Sequence, residues 1–174
     1  MSLTFLLGGA RSGKSRLAVR MATGWEGPVV FLATAEARDA DMGERIERHR
    51  RERPAEWETL EAPLDLADAL AGAPGEAFVV VDCLTLWISN LLEAGRSAEV
   101  VEQAARDAAA LAAGRAAPTV VVSNEVGLGV VPETALGRTF RDVLGLVNAA
   151  FAAAAETTYL VAAGRVLVLD RPPV

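Results

Sequence analysis

The sequence predicts an α/β fold: a three-layer sandwich with a mostly parallel sheet, helices on both faces and an antiparallel C-terminal hairpin. Three observations carry this. Short apolar runs rich in Val and Leu alternate with amphipathic segments of helical length, the pattern of strands buried on both faces. The first run ends in glycines that lead straight into a helix. The last two runs flank a turn too short for the crossover that parallel strands need.

In chain order, Leu3 to Leu7 is the first apolar run, and Ser15 to Thr23 follows as a helix. Pro28 to Thr34 is a second buried strand. Glu36 to Arg53 is a charged helix with Met42, Ile46 and His49 on one stripe, and Pro54 ends it. Trp57 to Glu61 is a short extended piece. Leu64, Leu66, Ala67 and Leu70 mark a small helix before a turn at Gly72 to Gly75. Ala77 to Val81 is a strand ending at Asp82. Leu84 to Leu92 and Ala98 to Ala113 are helices separated by a turn at Gly95 to Ser97. Thr119 to Val122 is a strand ending at Ser123-Asn124-Glu125, and Glu133 to Ala155 is a long Ala-rich helix. Thr158 to Ala162 and Val166 to Leu169 flank Gly164 as a hairpin, and Arg171 to Val174 frays.

With 174 residues, no linker and no internal repeat, the chain reads as one domain over residues 1–174. Its 52% hydrophobic and 23% charged residues exclude disordered and fibrous classes. A net charge of −6 argues against a general nucleic-acid-binding surface. No apolar stretch reaches the roughly 18 residues of a membrane span, and Met1 to Thr4 has no basic, signal-like character. A single cysteine cannot form an internal disulfide, which fits a reducing cytoplasm. The cations say more. Of 17 basic residues, 16 are Arg; Lys14 is the one lysine and His49 the one histidine. In a chain that otherwise uses Arg throughout, a retained lysine marks a place where a compact ammonium does what a planar fork does not.

Gly8-Gly9-Ala10-Arg11-Ser12-Gly13-Lys14-Ser15 matches G-x-x-x-x-G-K-S/T between a strand and a helix, the context this phosphate-binding loop requires. It makes the predicted sandwich P-loop NTPase-like. The glycines let backbone N–H groups curl around phosphate, and the helix N-terminus adds free donors and a favourable dipole. Lys14 is placed to reach the β- and γ-phosphates, and the Ser15 hydroxyl to bind Mg²⁺. Asp82 closes an apolar strand, as a second metal-holding carboxylate does; a strand-end cap for the helix at Leu84 is the plain alternative. Arg45 to Arg53 packs five Arg and His49 into nine residues, either a solvated helix face or a second anion site. Cys83 reads as a packed small residue. Asn124 to Pro132 is a Gly-containing loop after a strand, where parallel α/β folds line their ligand crevice, with Glu125 a candidate polar group or a cap. No N-K-x-D motif for guanine recognition and no L-S-G-G-Q motif occurs, which leaves a small-molecule phosphotransferase.

These motifs are joined by others in order: A-T-A, D-x-D-M-x-x-R-I-x-x-H, R-x-x-R-P-x-x-W-x-T-x-E, N-E-V-G-x-G-x-V-P and F-R-D-x-x-G-x-x-N. From about Leu3 to Val161 the chain resembles the bifunctional adenosylcobinamide kinase/adenosylcobinamide-phosphate guanylyltransferase family of cobalamin biosynthesis. The resemblance implies two reactions. A nucleoside triphosphate, ATP or GTP with Mg²⁺, phosphorylates the aminopropanol hydroxyl of adenosylcobinamide. GTP then guanylylates the enzyme, and GMP passes to adenosylcobinamide phosphate to give adenosylcobinamide-GDP. The guanylylated residue falls on His49. Nucleotide contacts fall on Gly8 to Ser15, on Ala33, Thr34 and Ala35, on Arg50, Arg51, Glu52 and Arg53, and on Glu61 and Asp82, with Ser15 and Asp82 at the metal and Lys14 catalytic beside His49. The resemblance also implies a homotrimer, for which the small apolar face of Ala149 to Ala155 is a candidate contact. Two departures stand out: the family often has two adjacent His where this chain has Arg48-His49, and often Glu where it has Asp82.

Two other readings use the same residues. A monofunctional P-loop kinase would use the Arg helix as a lid and leave His49 dispensable. A nucleotide-binding regulator would bind tightly without turnover.

Overall fold

The computed structural model describes residues 3–171. Met1, Ser2 and the expected fraying of Pro172 to Val174 lie outside the described residues, as does the side chain of Arg45. The elements run β1 (Leu3–Gly8), α1 (Lys14–Thr23), β2 (Val29–Ala33), α2 (Ala40–Arg51), β3 (Glu58–Glu61), α3 (Leu66–Gly72), β4 (Phe78–Asp82), α4 (Leu84–Glu93), α5 (Ala98–Gly114), β5 (Thr119–Asn124), α6 (Ala135–Ala154), β6 (Thr157–Ala162) and β7 (Arg165–Leu169). The strands form one seven-stranded sheet in the order β3-β2-β4-β5-β1-β6-β7. Neighbours are parallel except β6 and β7, which pair antiparallel from Ala162↔Arg165 outward.

Strand alternation sorts the core into two layers. Leu3 and Phe5, Val79 and Val81, and Val121 face α3 to α6, where Leu84, Trp87, Val101, Leu144 and Phe151 are buried against them. Leu6, Phe31, Val80, Val120 and Val122 face the other way, onto Ala18 and Ala22 of α1. The alanines let α1 approach the sheet closely, so the Gly-rich loop ahead of it stands directly over the ends of the central strands.

Two helices start later than their sequence patterns suggest. The Glu36 to Arg53 stretch is helical only from Ala40 to Arg51, because the Asp39 carboxylate accepts from the Met42 N–H at 2.7 Å and caps the helix there. Its end precedes Pro54, which biases the residue before it away from helical geometry. Thr134 likewise caps α6, accepting from the Gly137 N–H at 3.1 Å. The Ala149 to Ala155 face is not free for another subunit as a whole: Phe151 and Ala155 are buried in this chain's own core, and only Ala149 and Ala153 are exposed. Larger exposed apolar side chains lie elsewhere, at Leu128, Val130, Val131 and Leu136 and along β7.

Central strand β1 meets β6 closely at its C-terminal end. A Cβ on Gly8 would stand 2.2 Å from the Val161 carbonyl oxygen, whereas one on Gly9 would meet nothing within 4 Å. Gly8→Ala therefore should lower unfolding free energy by about 1–3 kcal/mol through overpacking, and Gly9→Ala should stay within about 0.5 kcal/mol of the parent. Urea unfolding of the two variants side by side measures the difference.

Candidate active site

The site begins where β1 stops. Gly13 takes a left-handed backbone (φ 104°) as N-cap of α1, and Arg11 is also left-handed (φ 56°), so the chain between Gly8 and Lys14 curls into an open loop. Unlike α2, α5 and α6, α1 has no side chain capping its N-terminus, and its first turn carries no acidic residue. Its first N–H groups and its dipole remain for an anion. The β6–β7 turn braces the loop from behind: the Gly164 N–H donates to the Ser12 carbonyl at 2.8 Å.

Lys14 is almost fully buried. Its ammonium donates to the carbonyls of Gly8 (2.8 Å) and Gly9 (2.7 Å) and reaches Ser12 Oγ at 3.4 Å. Burial lowers its pKa, and the charge of Asp82 works against that shift. Asp82 lies across from it at the end of β4, with the Ser15 side chain near enough to stabilise its carboxylate. Burial raises the Asp82 pKa, opposed by Ser15 and by His49, Lys14 and Arg53. Helix α4 has no side-chain cap, so Asp82 does not serve as one.

Alternation puts Phe31 and Ala33 of β2, Asp82 of β4, and Val122 and Asn124 of β5 on the α1 face of the sheet, and all five line one cleft of about 460 Å³. Helix α2 forms its opposite wall. The stripe of Met42, Ile46 and His49 continues to Arg53 and faces this cleft. The Arg53 guanidinium stacks over the Phe31 ring at 3.8 Å, and its Nε donates to the His49 carbonyl at 3.2 Å. The basic helix thus turns its apolar stripe and its histidine toward the phosphate loop.

Most of the expected residues converge here. Ala10 to Ser15, Ala33, Ala35, His49, Glu52, Arg53 and Asp82 line the cleft, and Gly8 and Gly9 hold Lys14 from beneath. Four stand apart. Thr34 is fully buried, and its hydroxyl bridges the Cys83 backbone, donating to the carbonyl at 2.7 Å and accepting from the N–H at 2.8 Å. Arg50 and Arg51 lie on the outer side of α2 and Glu61 ends the outer strand β3, none of them on the cleft wall. Glu125 accepts from the Gly127 N–H within its own loop. Arg48, from the Arg run, and Asn124, from the start of the Gly-containing loop, also line the cleft, and strand alternation from Val122 places Asn124 there.

Comparison with known proteins bears on this site. A family model described as "CobU: Cobinamide kinase / cobinamide phosphate guanyltransferase" matches residues 4–169. The chain is 43% identical over 171 residues to the bifunctional adenosylcobalamin biosynthesis protein CobP of Pseudomonas aeruginosa, covering 97% of each chain. It is 38% identical over 175 residues to the bifunctional adenosylcobalamin biosynthesis protein CobU of Escherichia coli, covering 93% of this chain and 96% of that one. Among solved structures, a prototypical ATPase from the type III secretion system of pathogenic bacteria superposes with a TM-score of 0.55 at 10% identity, over 91% of this chain and 50% of that one. At that identity the likeness is one of fold alone.

Cys83 lines the cleft beside Asp82, but burial and the neighbouring carboxylate push its thiol up to about 11. At pH 8 only about one molecule in a thousand carries the thiolate that reacts. Iodoacetamide should therefore modify the folded chain orders of magnitude more slowly than the urea-unfolded chain, as read by intact mass over time.

Proposed function

The chain belongs to the cobinamide kinase / cobinamide phosphate guanylyltransferase family, and from that premise we propose how its residues divide the two reactions. It is a bifunctional enzyme of adenosylcobalamin biosynthesis, a kinase and a nucleotidyltransferase. The observation that carries the division is that the phosphate loop and His49 occupy facing walls of one cleft.

A triphosphate bound there has two reactive ends. Its β- and γ-phosphates lie on the loop N–H groups and Lys14. In the kinase reaction the cobinamide hydroxyl attacks the γ-phosphorus, a P–O bond forms, the β–γ bridge breaks and the nucleoside diphosphate leaves. In guanylylation a ring nitrogen of His49 attacks the α-phosphorus of GTP. A P–N bond forms, the α–β bridge breaks and pyrophosphate leaves. An oxygen of adenosylcobinamide phosphate then attacks the same phosphorus and breaks the P–N bond, giving adenosylcobinamide-GDP. Arg53 and Arg48, on the wall with His49, supply charge for the transferring phosphoryl oxygens.

Ser15 and Asp82 fit Mg²⁺: a hydroxyl and a carboxylate, both hard oxygen donors, meet at the end of the loop. No group of three or more His, Cys, Asp or Glu converges among the described residues, so phosphate oxygens and water would complete the shell. Bound there, the ion neutralises charge on the phosphates. The homotrimer draws support from the exposed apolar side chains at 128–136 and on β7. Among the described residues no helix is long and apolar enough to cross a membrane, and a cytoplasmic location goes with nucleoside triphosphate substrates.

His49→Ala should lose the acid-labile, alkali-stable label from α-³²P-GTP and about 10⁴ or more of the transferase rate, while keeping much of the kinase rate. Lys14→Ala should lose both. A labelled His49→Ala protein would place the nucleophile elsewhere. A folded His49→Ala protein lacking both activities would make His49 a binding residue. For the metal, Asp82→Asn should raise the Mg²⁺ concentration giving half-maximal kinase rate; an unchanged Mg²⁺ dependence removes Asp82 from the metal site.

A further inference from the structure

Strand β5 lies between the phosphate-loop strand and the Asp82 strand, and it ends at Asn124. In register, Asn124 is opposite Gly8 on one side, and its same-face neighbour Val122 is opposite Asp82 on the other. Its side chain therefore enters the cleft between the loop and the carboxylate that fits the metal.

The backbone at this point is fixed from three directions. The Asn124 N–H donates to Thr85 Oγ1 at 2.9 Å, and its carbonyl accepts from Asn148 Nδ2 at 3.0 Å. Asn148 Oδ1 in turn accepts from Ser123 Oγ at 2.6 Å, and both of these side chains are buried. The next N–H, of Glu125, donates to the Gly8 carbonyl at 3.0 Å. Against this rigid support, the Asn124 carboxamide itself has no hydrogen-bond partner among the described residues, although it is half-buried. A carboxamide offers two donors and an acceptor, and here they face the open cleft, where an entering ligand can meet them. A polar side chain on a fixed backbone beside a phosphate site, unused by the fold, is available to a ligand.

We propose that Asn124 is a catalytic residue of the kinase step. Its Nδ2 donates to a non-bridging oxygen of the γ-phosphoryl group, and its Oδ1 accepts from the O–H of the attacking alcohol. The amide aligns the two reactants and takes no proton. As the new P–O bond forms and the β–γ bridge breaks, the electron pair leaves with the nucleoside diphosphate. The hydroxyl proton passes to an oxygen of the transferred phosphoryl group and from there to water. This assignment rests on the kinase reading above.

The test uses the full-length enzyme and its Asn124→Ala and Asn124→Asp variants, with thermal unfolding as the check on folding. Kinase turnover should fall about 10²-fold in Asn124→Ala, the scale of losing one oriented donor. It should fall further in the isosteric Asn124→Asp, whose charge repels the γ-phosphate. Guanylylation of His49 should fall less than kinase turnover. Calorimetry should show weaker binding of a non-hydrolysable triphosphate to Asn124→Ala and unchanged binding of the diphosphate. Equal weakening of both nucleotides, or full turnover in Asn124→Asp, overturns the proposal. A parent enzyme that binds triphosphate but never phosphorylates cobinamide would overturn the kinase reading instead, and the binding comparison would still decide the γ-phosphate contact.

Discussion

The ammonium of Lys14, seated on the carbonyls of Gly8 and Gly9, is the contact on which the rest of the site depends. A buried cation is costly unless it is hydrogen-bonded and faced by opposite charge. Here two carbonyls and Asp82 offset that cost, and each needs an arrangement of its own. The carbonyls turn toward Lys14 only because the loop curls through the left-handed residues Arg11 and Gly13. The loop sits at this height only because Ala18 and Ala22 seat α1 against the sheet. Asp82 faces Lys14 because β4 alternates in phase with β1 and β5. A phosphate arriving in the cleft meets the free N–H groups at the start of α1, while Lys14 reaches it by exchanging one of its three present acceptors.

The opposite wall is held differently. Helix α2 carries its charge on both faces and owes its orientation to its ends. At its start, Asp39 caps it, and Arg38 pairs with Glu36 and Glu93 and donates to Asn90 Oδ1 at 2.9 Å. Asn90 is buried and donates to the carbonyls of Thr34 (2.8 Å) and Pro63 (3.1 Å), so one amide joins the exits of β2 and β3 to α4. Exposed ion pairs contribute little each; the buried amide is the firmer tie, since unmaking its bonds would strand polar groups.

Much of this was legible in the sequence because it is local. Strands, helices and the phosphate loop are patterns within a dozen residues, and Lys14 and His49 stand out by rarity alone. The Met42–Ile46–His49 stripe correctly marks one face of α2, though its periodicity is equally that of a core-facing helix; only the structure shows that the face turns to the cleft. What was not legible is long-range. The resemblance implies a nucleotide contact at Thr34 beside Ala33 and Ala35, and nothing local shows that its hydroxyl bridges the Cys83 backbone. Arg50 and Arg51 share a run with Arg53, but helical spacing sends only Arg53 to the cleft. The Gly164 turn looks like a mere hairpin and proves to brace Ser12 across more than a hundred residues of sequence. No pattern within one segment encodes such a contact.

Arg53 links the two walls. Its guanidinium lies over Phe31, its Nε holds the His49 carbonyl, and its charge acts on Asp82. The backbone of the proposed nucleophile is thereby tied, through one side chain, to the floor of the cleft and to the carboxylate that fits the metal. Guanylyl transfer needs His49 at the α-phosphorus, while phosphoryl transfer needs the γ-phosphorus clear for an alcohol. On the proposal above, each reaction draws on its own triphosphate in the same cleft, one attacked at the γ-phosphorus and the other at the α-phosphorus. On that proposal the γ end meets Asp82 and Asn124 at the C-terminal ends of central strands and Lys14 at the start of α1, and the α end meets α2, a wall held at its termini. Chemistry at the γ end needs only an incoming hydroxyl. Chemistry at the other end, as proposed, falls to His49, whose carbonyl accepts from Arg53 Nε; holding it from inside the cleft requires burial of that guanidinium, which lowers its pKa.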